Sequence, residues 1–133
     1  MSNIIATVSK IQNCDSLNIV NFDFNGTPLS MMSLELNEKI QIGTKVKLNC
    51  KSSHIAIAKN FSGEVSYSNR LECEIQSLEN GELLCCLHLK IFDTVLESII
   101  TVNSSKKMDL KVGDNVTAFI KASELSISEV IND

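Results

Sequence analysis

The segment Leu110–Ser128, LKVGDNVTAFIKASELSIS, indicates the fold of the whole chain. It opens with a Gly-Asp-Asn turn, since these residues tolerate bent backbone. Apolar and polar residues then alternate from Val116 to Lys121, which predicts a half-buried β-strand. The corner Lys121-Ala122-Ser123 interrupts the alternation before it resumes. The segment therefore predicts a strand, a polar corner with one lysine and one hydroxyl, and a second strand.

The same arrangement occurs earlier in the chain, in the segment Gln41–Ala58, QIGTKVKLNCKSSHIAIA. Matching residues lie 70 positions apart, and Lys51-Ser52-Ser53 occupies the place of the corner. A repeat of this length is a small domain duplicated, not a solenoid unit. We therefore expect two domains, residues 1–60 and 64–133. Domains of this size bury only about 60% of their unfolded surface, so the copies should pack on each other or on other subunits.

Turn signals between short alternating runs predict five strands in each copy. Asn25-Gly26 is a strong hairpin signal, and Pro28 restricts the next strand to a sheet edge or a strand start. A short helix is expected between the third and fourth strands, at Ser33–Lys39 and at Asn103–Lys107, the latter capped by Thr101 or Asn103. The predicted fold is all-β, with two tandem OB-like five-stranded barrels. A six-stranded sandwich is the alternative.

The composition argues against a nucleic-acid-binding protein. The net charge is −4, aromatic residues make up 5% of the chain and there is no Trp. Nucleic-acid binders need a basic surface, and single-strand binders need aromatic stacking platforms. The sequence shows no apolar run typical of a signal peptide or a membrane span. Five cysteines without a CxxC motif are typical of reduced thiols, so we expect a cytoplasmic protein.

Two cysteine and histidine pairs have the spacing of half a metal site. They are Cys50 with His54 and Cys86 with His88. A structural zinc site needs four ligands, and a buried cysteine on a strand face is commonplace, so we expect no resident metal ion. Neither histidine has a nucleophile or carboxylate pattern nearby. The sequence therefore does not predict an enzyme.

The segment Leu96–Ser128 resembles a TOBE, or Mop, domain, whose usual closing phrase is similar to residues 110–123 here. Two copies in one chain resemble the di-Mop molbindins, which are cytoplasmic proteins that bind molybdate or tungstate. The resemblance implies that metal is bound only as an oxyanion, for storage, homeostasis or sensing. It also implies a homo-oligomer, with a trimer favoured over a dimer. The alternative is a sensor that acts through a DNA-binding or ABC-transporter ATPase partner, since the same tandem occurs beside both.

The family's anion contacts carry over to this chain by motif. They are a Thr-x-x-Ser after the third strand, a Lys-Ala/Ser corner after the fourth, and a Ser-Ala-Arg-Asn before a repeat. The candidate oxyanion contacts are Thr101, Ser104, Lys121, Ala122, Ser123, Ser66, Ser68, Asn69, Lys51, Ser52 and Ser33. Ser68 stands where the family has arginine, and Leu36 replaces the second hydroxyl in the first copy. The second copy is therefore expected to hold the better sites.

These residue types suit a tetrahedral dianion, which needs hydrogen-bond donors around it. A hydrogen bond to a charged group contributes roughly 1.5–3 kcal/mol. Micromolar binding needs about 8 kcal/mol, after an association cost of about 4 kcal/mol or more. The five or so donors of one copy would only just suffice. The sequence therefore favours anion sites shared between chains.

Overall fold

The duplicated segments form two antiparallel five-stranded sheets in a computed structural model that describes residues 2–131. The strands are β1 (Ser2–Cys14), β2 (Leu17–Phe24), β3 (Thr27–Ser33), β4 (Lys45–Cys50), β5 (Ala56–Ala58), β6 (Asn69–Asn80), β7 (Leu84–Ile91), β8 (Thr94–Thr101), β9 (Asn115–Ile120) and β10 (Ser126–Ile131). The fold is all-β with two OB-like units, which confirms the predicted fold class. Within residues 2–131, no helix is long and apolar enough to cross a membrane.

The two sheets exchange their last strands. The strand orders are β10-β4-β1-β2-β3 and β5-β9-β6-β7-β8. Ile127 of β10 pairs with Leu48 of β4, and Ile57 of β5 pairs with Ala118 of β9. The linker between β5 and β6 contains the predicted division, yet residues 1–60 and 64–133 each lack one strand of a complete sheet. Each half is therefore stabilised by the other.

A bulge in the first strand of each sheet anchors the glycine turn that precedes the fourth strand. The register shifts after Val8 in β1 and after Ile75 in β6. Gly43 donates its N–H to the Val8 carbonyl, and Gly113 donates its N–H to the Ile75 carbonyl, both at 2.8 Å. Both glycines have a positive φ, of 95° and 94°, which strains other residues. The turn in the repeated motif is thus fixed to the centre of its own sheet.

The predicted helix exists in the second copy and not in the first. Helix α1 spans Val102–Lys107, and its N-cap is Thr101, which confirms one of the two predicted caps. The prediction of a helix at Ser33–Lys39 is wrong. There the Ser33 hydroxyl donates to the Glu35 carbonyl, and the Asn37 side chain accepts the Lys39 N–H at 2.9 Å, so local turns replace the helix.

Chain length gives the physical reason for this difference. The anchor residues Val8 and Ile75 are 67 positions apart, whereas the glycines Gly43 and Gly113 are 70 apart. The first copy is therefore three residues shorter in this connection, which leaves no room for the six-residue helix of the second copy. The Pro28 prediction is confirmed, because β3 lies at the edge of its sheet.

Candidate functional site

The strand exchange brings the two polar corners together. We call Lys51–His54 the first corner and Lys121–Glu124 the second corner. Each begins with a lysine in extended backbone and continues as one 3-10 turn. A short polar contact joins them, with His54 Nδ1 at 2.7 Å from Glu124 Oε2. The corners face each other because the strand that follows each one crosses into the other sheet.

Two cavities with both polar and apolar lining residues flank this contact. One, of about 370 Å³, is lined by Lys121 and Ser53, and the other, of about 310 Å³, is lined by Lys51 and Ser123. His54 lines both. Each cavity thus combines the lysine of one corner with the serine of the other. A lysine and a hydroxyl supply the donors that an oxyanion needs.

One residue of the linker contributes to the Lys121 cavity. The Tyr67 ring lines this cavity, and the Lys121 Nζ lies 6.0 Å from the ring centroid, at the outer limit of a cation–π contact. Tyr67 also packs against Phe119, with ring centroids 5.5 Å apart. The predicted contacts Ser66 and Ser68 flank Tyr67 and are exposed, and neither lines the Lys121 cavity or the Lys51 cavity.

The expected oxyanion site contains only hydrogen-bond donors, but both cavities also contain a carboxylate. Glu124 lines both of them and brings a carboxylate close to the lysines. Its contact with His54 engages one carboxylate oxygen. Sequence reasoning missed Ser53, Tyr67, His54 and Glu124. Ser53 and Tyr67 lie inside the motifs that predicted their neighbours, which was the available signal.

Thr101 and Ser104 form a separate pair at the start of α1. The Thr101 Oγ1 accepts the Ser104 N–H at 3.1 Å and donates to the Ser104 Oγ at 3.0 Å. Neither residue lines the cavities of Lys121 or Lys51. Ala122 follows Lys121 in the second corner and offers no polar side chain. The predicted contacts of the second copy are thus divided between two places in one chain.

Asn69 is fully buried, and its amide is engaged within the chain. Its Nδ2 donates to the carbonyls of Ser30 and Ile120, both at 3.0 Å. Its Oδ1 accepts the Ser30 N–H at 2.6 Å. Asn69 also pairs with Ile120 in the sheet, which places the preceding residue, Ser68, beside Lys121. The geometry gives Asn69 a positioning role next to the second corner.

Ser52 also has an internal partner. Its hydroxyl donates to Glu97 Oε1 at 2.9 Å, across the contact between the first corner and β8. This hydrogen bond, together with the neighbouring His88, lowers the pKa of the Glu97 carboxyl from its ordinary value. Ser52 therefore directs its hydroxyl proton at a carboxylate, and Ser53 is the serine of the first corner that faces a cavity.

The strand register changes the interpretation of Ser33. Asn18 pairs with Ser33, and Cys85 pairs with Ile100 in the second copy. Since Asn18 and Cys85 occupy equivalent positions, Ser33 matches Ile100, and the exposed Leu34 matches Thr101. The first copy thus lacks both hydroxyls of the Thr-x-x-Ser motif, that of the threonine and that of the serine. Ser33 instead lines a groove of about 540 Å³, together with Ser123.

The protein belongs to the class of tandem OB-like domains, with exchanged strands and paired lysine corners. In family comparisons, residues 66–127 match the TOBE domain. A probable molybdenum-pterin-binding protein of Haemophilus influenzae is 31% identical over 65 residues, which are 48% of this chain and 94% of that protein. The chain belongs to the TOBE/Mop family, with the domain in tandem, as the sequence predicted.

One solved structure has this fold over nearly the whole chain. A structure of the cytoplasmic molybdate-binding protein ModG, with molybdate bound, superposes with a TM-score of 0.88. The match covers 94% of this chain and 93% of that one, at 23% identity. A molybdate-binding protein from Sporomusa ovata is 31% identical and covers 53% of this chain and 100% of its own, with a TM-score of 0.47.

Proposed function

We propose that the chain binds molybdate, or the similar dianion tungstate, and catalyses no reaction. The observation that carries the proposal is the pair of cavities that combine the lysine of one corner with the serine of the other. Two lysines, neither of which has a carboxylate partner within ion-pair distance among residues 2–131, supply fixed charge. ModG is described as a cytoplasmic molybdate-binding protein, and the Haemophilus influenzae protein is named for molybdenum-pterin binding. We infer a cytoplasmic role in storage, homeostasis or sensing.

We assign the principal contacts to Lys121 and Ser53, with the linker hydroxyls of Ser66 and Ser68 beside them. Lys51 and Ser123 form the second, pseudo-equivalent cavity. The Lys121 cavity is also lined by the Tyr67 ring, whereas no phenylalanine or tyrosine lines the Lys51 cavity. We therefore propose that the Lys121 cavity binds the anion more tightly.

Thr101 and Ser104 lie outside both cavities, so we propose that they complete a site from a neighbouring chain. A homo-oligomer with closed symmetry would bring such residues to every equivalent cavity. A trimer is our first choice and a dimer the second. Ligand held between subunits would stabilise the assembly by mass action.

Calorimetric titration with molybdate and tungstate tests the ligand. We expect saturable binding at micromolar concentrations or tighter, with phosphate competing weakly. Lys121→Ala should weaken binding at least about tenfold, because a hydrogen bond to a charged group contributes roughly 1.5–3 kcal/mol. Lys10→Ala is the matched control, since Lys10 is exposed on β1 and makes the same change of charge. The absence of heat and of any thermal shift with either ion at millimolar concentration would refute the proposal.

A further inference from the structure

A second cluster of chemically reactive side chains lies on the face of β7 and β8 opposite the core. Cys86 and His88 are two residues apart on β7, so both point to the same face. Glu97 on β8 pairs directly with His88. The thiol, imidazole and carboxylate atoms of these three residues all lie within 4.8 Å of one another. None of the three belongs to the oxyanion cavities.

The distances suit a tetrahedral metal ion. Zinc bonds to nitrogen and oxygen are about 2.0–2.2 Å long, so two such ligands at the tetrahedral angle are about 3.4 Å apart. The separation of His88 Nε2 from Glu97 Oε2 is 3.4 Å. The Cys86 thiol needs to approach by only about 1 Å, because zinc–sulfur bonds of about 2.3 Å put sulfur about 3.6 Å from the other ligands.

Neighbouring hydroxyls orient two of the three groups. Ser77 Oγ lies 3.0 Å from His88 Nδ1, which leaves Nε2 facing the cluster. Ser52 Oγ donates to Glu97 Oε1 at 2.9 Å, which leaves Oε2 for the same space. Metal-bound histidines and carboxylates are usually held in this way through the atom that the metal does not use. The backbone of Glu97 is fixed as well, since its N–H donates to Ser2 Oγ at 2.7 Å.

We propose that Cys86, His88 and Glu97 form a binding site for zinc or a similar divalent transition-metal ion. One sulfur, one nitrogen and one oxygen ligand favour zinc or cobalt over calcium and magnesium, which require oxygen ligands. A water molecule completes the tetrahedron, because three protein ligands leave one position open. The site is independent of the oxyanion cavities. It binds the metal as a coordinated cation and not as an oxyanion.

Cobalt titration of the full-length, chelator-treated protein tests the site, because cobalt replaces zinc and reports its ligands optically. We expect one cobalt ion per chain, with a thiolate-to-cobalt charge-transfer band and the intense d–d bands of tetrahedral cobalt, and displacement by zinc. Cys86→Ser should abolish the charge-transfer band. Glu97→Gln and His88→Gln should each weaken cobalt binding at least about tenfold. Ser77→Ala should weaken it by about 10-fold to 100-fold through the orientation of His88.

Two control variants match the changes made at the site. Cys14→Ser removes an exposed thiol elsewhere, and His54→Gln removes the other histidine, so both should keep the full spectrum. A charge-transfer band that persists in Cys86→Ser, or its absence from the unmodified protein, would overturn the proposal. X-ray absorption of the zinc-loaded protein needs no substitution. It should show one sulfur at about 2.3 Å, and a shell of nitrogen and oxygen alone would also overturn it.

Discussion

Asn69 joins the two sheets by binding both backbone groups of Ser30, whose N–H and carbonyl lie 2.6 Å and 3.0 Å from its amide atoms. Ser2 makes the equivalent contact in the other half, where its hydroxyl accepts the Glu97 N–H at 2.7 Å and donates to the Glu97 carbonyl at 3.5 Å. The start of each first strand thus binds the middle of the other sheet's edge strand. These paired contacts fix the distance between the corners that form the cavities.

Asn69→Ala should lower the stability of the protein by about 3 kcal/mol, because it leaves buried carbonyl and N–H groups of Ser30 and Ile120 without partners. We expect the melting temperature to fall by about 10 °C. Thermal unfolding followed by circular dichroism is the measurement. Ser68→Ala, one residue away and exposed, is the control and should shift the melting temperature little. Equal melting temperatures for the two variants would contradict this role of Asn69.

The fragments 1–60 and 64–133 should not fold as separate monomers at low concentration. Each lacks the strand that completes its sheet, since β10 pairs with β4 and β5 pairs with β9. Mixing them should restore a folded complex of one copy of each. Proton–nitrogen NMR spectra of each fragment and of the mixture make the comparison. A well-dispersed spectrum from a monomeric 64–133 fragment would show that the exchange is dispensable.

Lys121→Ala should weaken molybdate binding more than Lys51→Ala. Tyr67 lines the Lys121 cavity and does not line the Lys51 cavity. Parallel calorimetric titrations of the two variants give the ranking. Identical losses of affinity would mean that the two cavities contribute equally.

Thiol reactivity should separate the cysteines into exposed and protected groups. Cys14 is exposed and Cys86 half-buried, so alkylating reagents should modify these two first. Burial, aided by the charge of Glu124, raises the pKa of the Cys50 thiol to about 11. Burial and a nearby carboxylate likewise raise that of Cys73 to about 12. Timed alkylation with peptide mass spectrometry should find both protected until the protein unfolds, and early labelling of Cys73 would contradict the buried placement.

Asp114→Asn should destabilise the protein near neutral pH and cease to do so in acid. The Lys111 N–H and then the Lys59 ammonium, at 2.9 Å and 3.1 Å, lower the pKa of the Asp114 carboxyl from 3.8. A carboxyl with a lowered folded-state pKa stabilises the fold above its ordinary pKa and loses that effect as pH falls through the lowered value. The melting temperatures of the two proteins should approach each other as the pH falls below 3.8 and converge below the lowered pKa of Asp114. Asp93→Asn, at an exposed turn, should show no such trend.

Alternation and turn chemistry were sufficient to predict most of the fold. The hairpin signal Asn25-Gly26 does join β2 to β3, because both residues adopt the positive φ that this turn requires. The strand exchange could not be predicted. The segments after the two corners have the same apolar pattern, so either one fits beside β4 or β9. The first-copy helix was mispredicted because helix-forming residues outweighed a connection three residues too short.

The candidate site was predicted only in part for the same reason. Lys121 and Lys51 were predicted from the repeated corner, whereas their partner serines come from the opposite corner, which only the exchange brings close. The third residue of the proposed metal site, Glu97, could not be predicted from the sequence either. Glu97 is nine positions from His88 in the chain but directly opposite it in the sheet, and sequence spacing does not contain that register.

The linker between β5 and β6 gives the strand exchange an evolutionary meaning. A single repeat, separated from its twin, would carry one strand with no sheet to join and one sheet edge with no strand. Two identical repeats would satisfy each other, so an ancestral one-repeat protein of this design would have been a dimer by necessity. Fusing the copies turns a concentration-dependent encounter into an intramolecular one, at an effective concentration set by some ten linker residues. Once fused, the two halves are free to differ, and in residues 2–131 only the second has a helix and a threonine cap.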